Sequence, residues 1–137
     1  MANNAKTVFE VVCGALGGLA GFLFGGLDGL FYALIAIAVL DYVTGVLSAV
    51  VRKQLSSEIG FRGIAKKAFV FVIVSIAHMI DVQVIGNNDI LRSAVICFFI
   101  ANESLSILEN AGSMGLPIPE KLKTILKQLR KEGSQNE

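Results

Sequence analysis

Residues 30–51 read LFYALIAIAVLDYVTGVLSAVV, a run with a single charge, Asp41, and no proline. A bilayer core about 30 Å thick needs roughly 20 helical residues at 1.5 Å each, so this stretch has the length and polarity of a transmembrane helix. Working outward, residues 7–27, 68–85 and 90–108 are also long and apolar. None alternates with a period of two, and a small open sheet would leave backbone groups unsatisfied in hydrocarbon. The sequence therefore predicts an all-α integral membrane protein with about four transmembrane helices, or three if the first segment does not cross. Residues 1–110 form the transmembrane domain, and residues 111–137 a cytoplasmic, basic, amphipathic tail.

Composition points the same way. Of 137 residues, 54% are hydrophobic and only 17% charged, against roughly a quarter charged in an average soluble chain. Twelve Lys and Arg balance eleven Asp and Glu, which excludes a broadly cationic nucleic-acid binder. Cys13 and Cys97 sit in separate apolar runs and read as small packing residues, not as a disulfide framework or zinc site. With one histidine, no nucleophile–base signature, no phosphate-binding loop and no metal-ligand spacing, the chain is not expected to be an enzyme or to carry a cofactor or metal.

Basic residues set the expected direction. Arg52, Lys53, Arg62, Lys66 and Lys67 lie between the second and third segments, and Lys121, Lys123, Lys127, Arg130 and Lys131 lie in the tail. By the positive-inside rule both regions are cytoplasmic, as are both termini. The first segment, with Lys6 before its apolar run, also has the make-up of a signal peptide or an interfacial helix.

Gly17, Gly21, Gly25 and Gly29 recur every four residues, so one helix would present a strip nearly free of side chains. In lipid such a strip drives close helix–helix contact. Its partner is either a second copy of the chain or the second segment of the same chain. Asp41, His78, Asp81, Asn102 and Glu103 fall within predicted spans, and Asp41, His78 and Glu103 fall near mid-depth. Ionisable groups there are costly unless they pair, protonate or meet water. They are candidates either for an intramolecular cluster, such as Asp41 with His78 or Glu103 with Tyr42 or Ser104, or for lining a lumen between subunits.

In the basic loop, Ser56 or Ser57 can cap a short turn that Gly60 and Gly63 break, with the cations toward anionic headgroups. In the tail, Pro119 stands at a helix start and Leu122, Ile125, Leu126 and Leu129 share a face. Such a helix lies along the bilayer or on a neighbouring subunit. Residues 133–137 are expected to be unstructured.

Asp41, Gly45 and Ala49, then Ser57, Gly60, Gly63 and Lys67, and finally NESLSILENAGSMGLPIPEKLK at residues 102–123 form a pattern that resembles the toxin-secretion/phage-lysis holin family. The last run is the most specific, through Glu103, Ser104, Glu109, Asn110, Gly115, Pro117 and Pro119. The resemblance covers about residues 30–130. It implies a phage or prophage lysis protein that accumulates in the bacterial cytoplasmic membrane, associates with itself and opens lesions. Through these an endolysin, or in toxin loci a large toxin, would leave the cell. The implied partners are further copies of the chain and membrane lipid, with the released protein a functional partner only.

Overall fold

The computed structural model describes residues 1–86 and 88–135, and no strand occurs among them. Helix α1 spans Ala2–Phe24, α2 Gly29–Val51, α3 Ser57–Ile80, α4 Ile90–Ser113 and α5 Glu120–Gln135; a π-helical turn, Asp81–Ile85, extends α3. The first four are long and apolar enough to cross a membrane.

The second span falls where the sequence places it, and the other boundaries move for local reasons. Helix α3 starts at Ser57, not near residue 68, because Ser56 Oγ accepts the Ile59 amide at 3.2 Å and Glu58 sits in the first turn. Gly60 and Gly63 do not break this helix. A Cβ at Gly63 would come 3.1 Å from the Tyr42 ring, so glycine permits α2 and α3 to close. That tertiary contact offsets a helix-propensity cost of about 1 kcal/mol. Helix α1 stops at Phe24, not at 27: Gly25 adopts the left-handed conformation, φ 79°, and its amide donates to Gly21 O at 2.9 Å. Gly29 opens α2, whose first turn is capped by Asp28 Oδ1 accepting from the Phe31 amide at 2.9 Å. The four-residue glycine spacing thus belongs to one helix only as far as Gly21.

Helix α4 runs on to Ser113, past the predicted end at 108 and across the domain limit at 110. Pro119 immediately precedes α5, which includes residues 133–135 that the sequence reading leaves unstructured; residues 136 and 137 lie outside the described part. Within the chain α5 packs against α4, with Leu122 and Ile125 of its apolar face still exposed.

The bundle is organised around α4, which packs mainly on α2 and also on α3. Phe31, Leu34, Val70, Val74 and Ile96 form its buried centre. The Phe24 and Phe31 rings lie 4.9 Å apart, and Phe71 meets both edge-on. Ile35, Val39, Leu40, Val43, Leu47, Val72 and Ile76 are exposed, the pattern of a bundle solvated by acyl chains. Cys13 and Cys97 are exposed as well, not packed as expected. Nothing in the apolar stretch of α1 is buried; α1 packs on α3 and reaches α2 only through Phe24 at its end, while a Cβ at Gly17 or Gly21 would meet nothing within 4 Å. The second segment is therefore not the partner of the glycine strip.

At the end of α1, a Cβ on Gly25 would overlap the His78 ring. Gly25→Ala combines this overlap with a left-handed backbone costing about 1–2 kcal/mol in any L-residue. We expect a lower thermal midpoint in detergent and faster amide exchange at residues 21–27, whereas Gly26→Ala, with open space but φ 130°, perturbs only the link.

Candidate functional site

Three helices carry stripes at spacings of three, four or seven. In α2 the stripe is Phe31, Leu34, Ala38, Asp41 and Ser48; in α3 it is Val70, Val74, Ala77 and Asp81; in α4 it is Arg92, Ile96 and Glu103. This periodicity turns one face of each helix inward. Extending the α3 stripe back by three residues reaches Lys67, and extending that of α4 forward by seven reaches Asn110. Asp41, Lys67, Glu103 and Asn110 meet where these stripes converge.

Lys67 Nζ donates to both Asp41 Oδ2 and Glu103 Oε2. The carboxylate side chains are 8% and 6% exposed and the ammonium 19%. Asn110 Nδ2 adds donation to Asp41 Oδ1 at 3.2 Å and to Thr44 Oγ1 at 3.1 Å. Farther along the same interface the Ser48 and Ser113 hydroxyls bond to each other. Two carboxylates share one ammonium, so the fully ionised cluster carries one net negative charge. Ion pairing and hydrogen bonding make burial of these groups tolerable. A cavity of about 770 Å³ opens beside them between α2, α3 and α4, with Asn102 on its wall.

Asp41 and Glu103 are thus brought together, through Lys67, not through the His78, Tyr42 or Ser104 contacts considered from the sequence. From the sequence alone, Lys67 counts among the headgroup-facing cations. The signal that finds it is its phase with Val70 and Val74, masked by assigning it to a loop.

His78 and Asp81 belong to the opposite end of the bundle. Asp81 is completely buried and acts as the cap of α4, accepting the Leu91 amide at 3.1 Å on Oδ1 and the Arg92 amide at 2.7 Å on Oδ2. His78 Nδ1 lies 3.7 Å from Asp89 Oδ1, too far for a hydrogen bond. His78 therefore lies beside Asp89 and Gly25 and not level with the central cluster, contrary to the equal depth that counting from the span ends predicts. Arg92, 1% exposed, donates Nε to Phe24 O, Nη2 to Gly26 O at 2.9 Å, and Nη1 to Asp28 Oδ2 at 2.8 Å. It ties the end of α1 and the start of α2 to α4. Its guanidinium, by hydrogen bonding and charge, holds the Asp28 carboxyl below the ordinary value of 3.8 against a smaller opposing effect of burial.

Around Gly17 and Gly21 an added Cβ would meet nothing within 4 Å, while Gly25 and Gly29 serve as cap and helix start. Of the signature residues, Gly45 lies beside Asn110, and Gly60 and Gly63 beside Tyr42. Ser57 opens α3, while Gly115, with φ 86°, Pro117 and Pro119 shape the α4–α5 turn. No group of three or more potential metal ligands occurs among the described residues.

Fold and site together define a small, multi-span helical membrane protein with an ion-paired interior. The chain belongs to the bacteriophage holin family, whose model matches residues 18–131 and so includes the last two turns of α1. It is 44% identical over 110 residues to an uncharacterised protein of Listeria monocytogenes, covering 80% of this chain and 78% of the relative. An uncharacterised 14.9 kDa protein from the nagH 3′ region of Clostridium perfringens is 43% identical over 115 residues, covering 84% and 87%. An uncharacterised Bacillus subtilis protein is 35% identical over 115 residues, covering 84% and 81%. No solved structure matches the chain.

Proposed function

We propose that this protein is a holin proper: it accumulates in the bacterial cytoplasmic membrane with both termini inside, associates with itself and permeabilises the membrane. The cargo released is an endolysin or a toxin. Family membership supports the class of activity. The observation that carries self-association is α1, whose apolar face around Gly17 and Gly21 has no partner among the described residues. Close backbone approach along such a face is the main source of helix association in lipid.

Inducible expression in a bacterium tests the reading. A holin collapses membrane potential, admits a dye and releases a cytoplasmic reporter enzyme. A non-conducting scaffold or anti-holin leaves growth and potential intact. That second reading is favoured by one feature, the ion-paired cluster that is already satisfied within a single chain. An ion or proton transporter would instead give saturable flux without protein release.

Because positions 17 and 21 have free space around them, Gly17→Leu with Gly21→Leu should leave the thermal midpoint nearly unchanged. Cross-linked oligomers should fall about tenfold, corresponding to about 1.4 kcal/mol of lost association. Undiminished cross-linking would mean that another face mediates assembly.

A further inference from the structure

We propose that the cavity between α2, α3 and α4 is a specific site for one anionic phospholipid, with the phosphate at its mouth and an acyl chain inside. Arg52 ends α2, while Arg62 and Lys66 occupy successive turns of α3, and all three line this cavity. All are exposed and available to a ligand. Farther in, Phe69, Ile73 and Phe99 form an apolar wall, with the ion-paired Asp41, Lys67 and Glu103 on the other side of the cavity. Cations at one end and an apolar wall beyond complement an amphiphilic anion, and a volume of about 770 Å³ lies within the roughly 300–1,000 Å³ typical of ligand sites.

Two nearby charge systems leave the cations free to act. Asp41 and Glu103 are already held by Lys67. Arg62 pairs with Glu58 at 2.8 Å, but both side chains are more than 70% exposed, and such a surface pair yields readily to a stronger anion. A free phosphate would use the cations alone and leave the apolar wall unfilled, so the lipid is the better match. A scattered headgroup attraction would not distinguish these cations from Lys121, Lys123 and Lys127 of α5, which do not line the cavity.

The test uses the full chain in detergent micelles doped with phosphatidylglycerol or phosphatidylcholine, with bound lipid counted by native mass spectrometry. We expect one phosphatidylglycerol per chain and no comparable retention of phosphatidylcholine. Arg52→Gln with Arg62→Gln and Lys66→Gln should weaken retention about tenfold, whereas Lys121→Gln with Lys123→Gln and Lys127→Gln should not. Ala65→Phe fills the cavity without altering charge and should also release the lipid. If the tail variant loses as much lipid as the mouth variant, the attraction is diffuse and the proposal fails. It fails equally if inorganic phosphate displaces the lipid, or if a folded Ala65→Phe chain retains it in full. None of the mouth or tail positions is buried, so their comparison remains decisive should Ala65→Phe not fold.

Discussion

Lys67→Met is expected to destabilise the bundle more than removal of either acid. The substitution leaves Asp41 and Glu103 facing each other at less than one-tenth exposure with no cation. Breaking a buried ion pair from one side costs about 3–5 kcal/mol, because a largely desolvated charge is left without its partner. At a few degrees per kcal/mol, the thermal midpoint should fall on the order of 10 °C or more. Asp41→Leu should be milder: it leaves Lys67 paired one-to-one with Glu103 and deprives only Asn110 of an acceptor, a loss of about 1–3 kcal/mol. Combining Lys67→Met with Asp41→Leu and Glu103→Leu removes every charge and should recover most of the stability, since apolar replacement of a whole buried ionic group is often neutral or favourable. Melting in detergent, followed by fluorescence-detected gel filtration, measures all three. A Lys67→Met chain that melts with the parent would show that the ammonium is not the keystone of this interface.

The second large effect is expected at the other end of the molecule. Arg92→Met removes donation to two backbone carbonyls and to Asp28, and with it the tie between the end of α1 and α4. Hydrogen bonds from a charged donor contribute about 1.5–3 kcal/mol each when buried, so a loss of several kcal/mol is expected. Because α1 has little other packing, its detachment should precede melting of the remaining bundle. Proteolysis within residues 25–28 should accelerate at temperatures where α2–α4 remain folded. Arg92→Lys should rescue only in part, since a single ammonium cannot span the three acceptors in the same fork geometry. The pH dependence has a defined sign. Asp28 has a lowered folded pKa, so its contribution is complete above the ordinary value of 3.8 and is lost as pH falls through the lower folded value. The parent's advantage over Arg92→Met should be intact at pH 7 and diminish in acid; an advantage that grew in acid would contradict the pairing.

Much of this architecture is legible from residue order. The run at residues 30–51 and its three companions state the number and type of helices, because a lipid-spanning segment must satisfy its own backbone and the length this requires is visible as hydropathy. Asp41 and Glu103 announce themselves as polar residues at membrane depth. Their partner does not: Lys67 looks like one more headgroup cation until α3 is known to begin at Ser57 and place it in phase with Val70. The glycine spacing misleads for a related reason. Four evenly spaced glycines suggest one ridge, yet the left-handed turn at Gly25 assigns the last two to a cap and to the next helix.

Hydrophobicity and length, which are local, determined that the polypeptide crosses lipid as helices and which residues would be uncomfortable there. The tertiary arrangement decided how that discomfort is relieved: Lys67 between two acids, Asp81 as the cap of another helix, Arg92 as the clasp on α1. Such pairings depend on the rotation and depth of one helix against another, set by the packing of whole faces, which no single segment encodes.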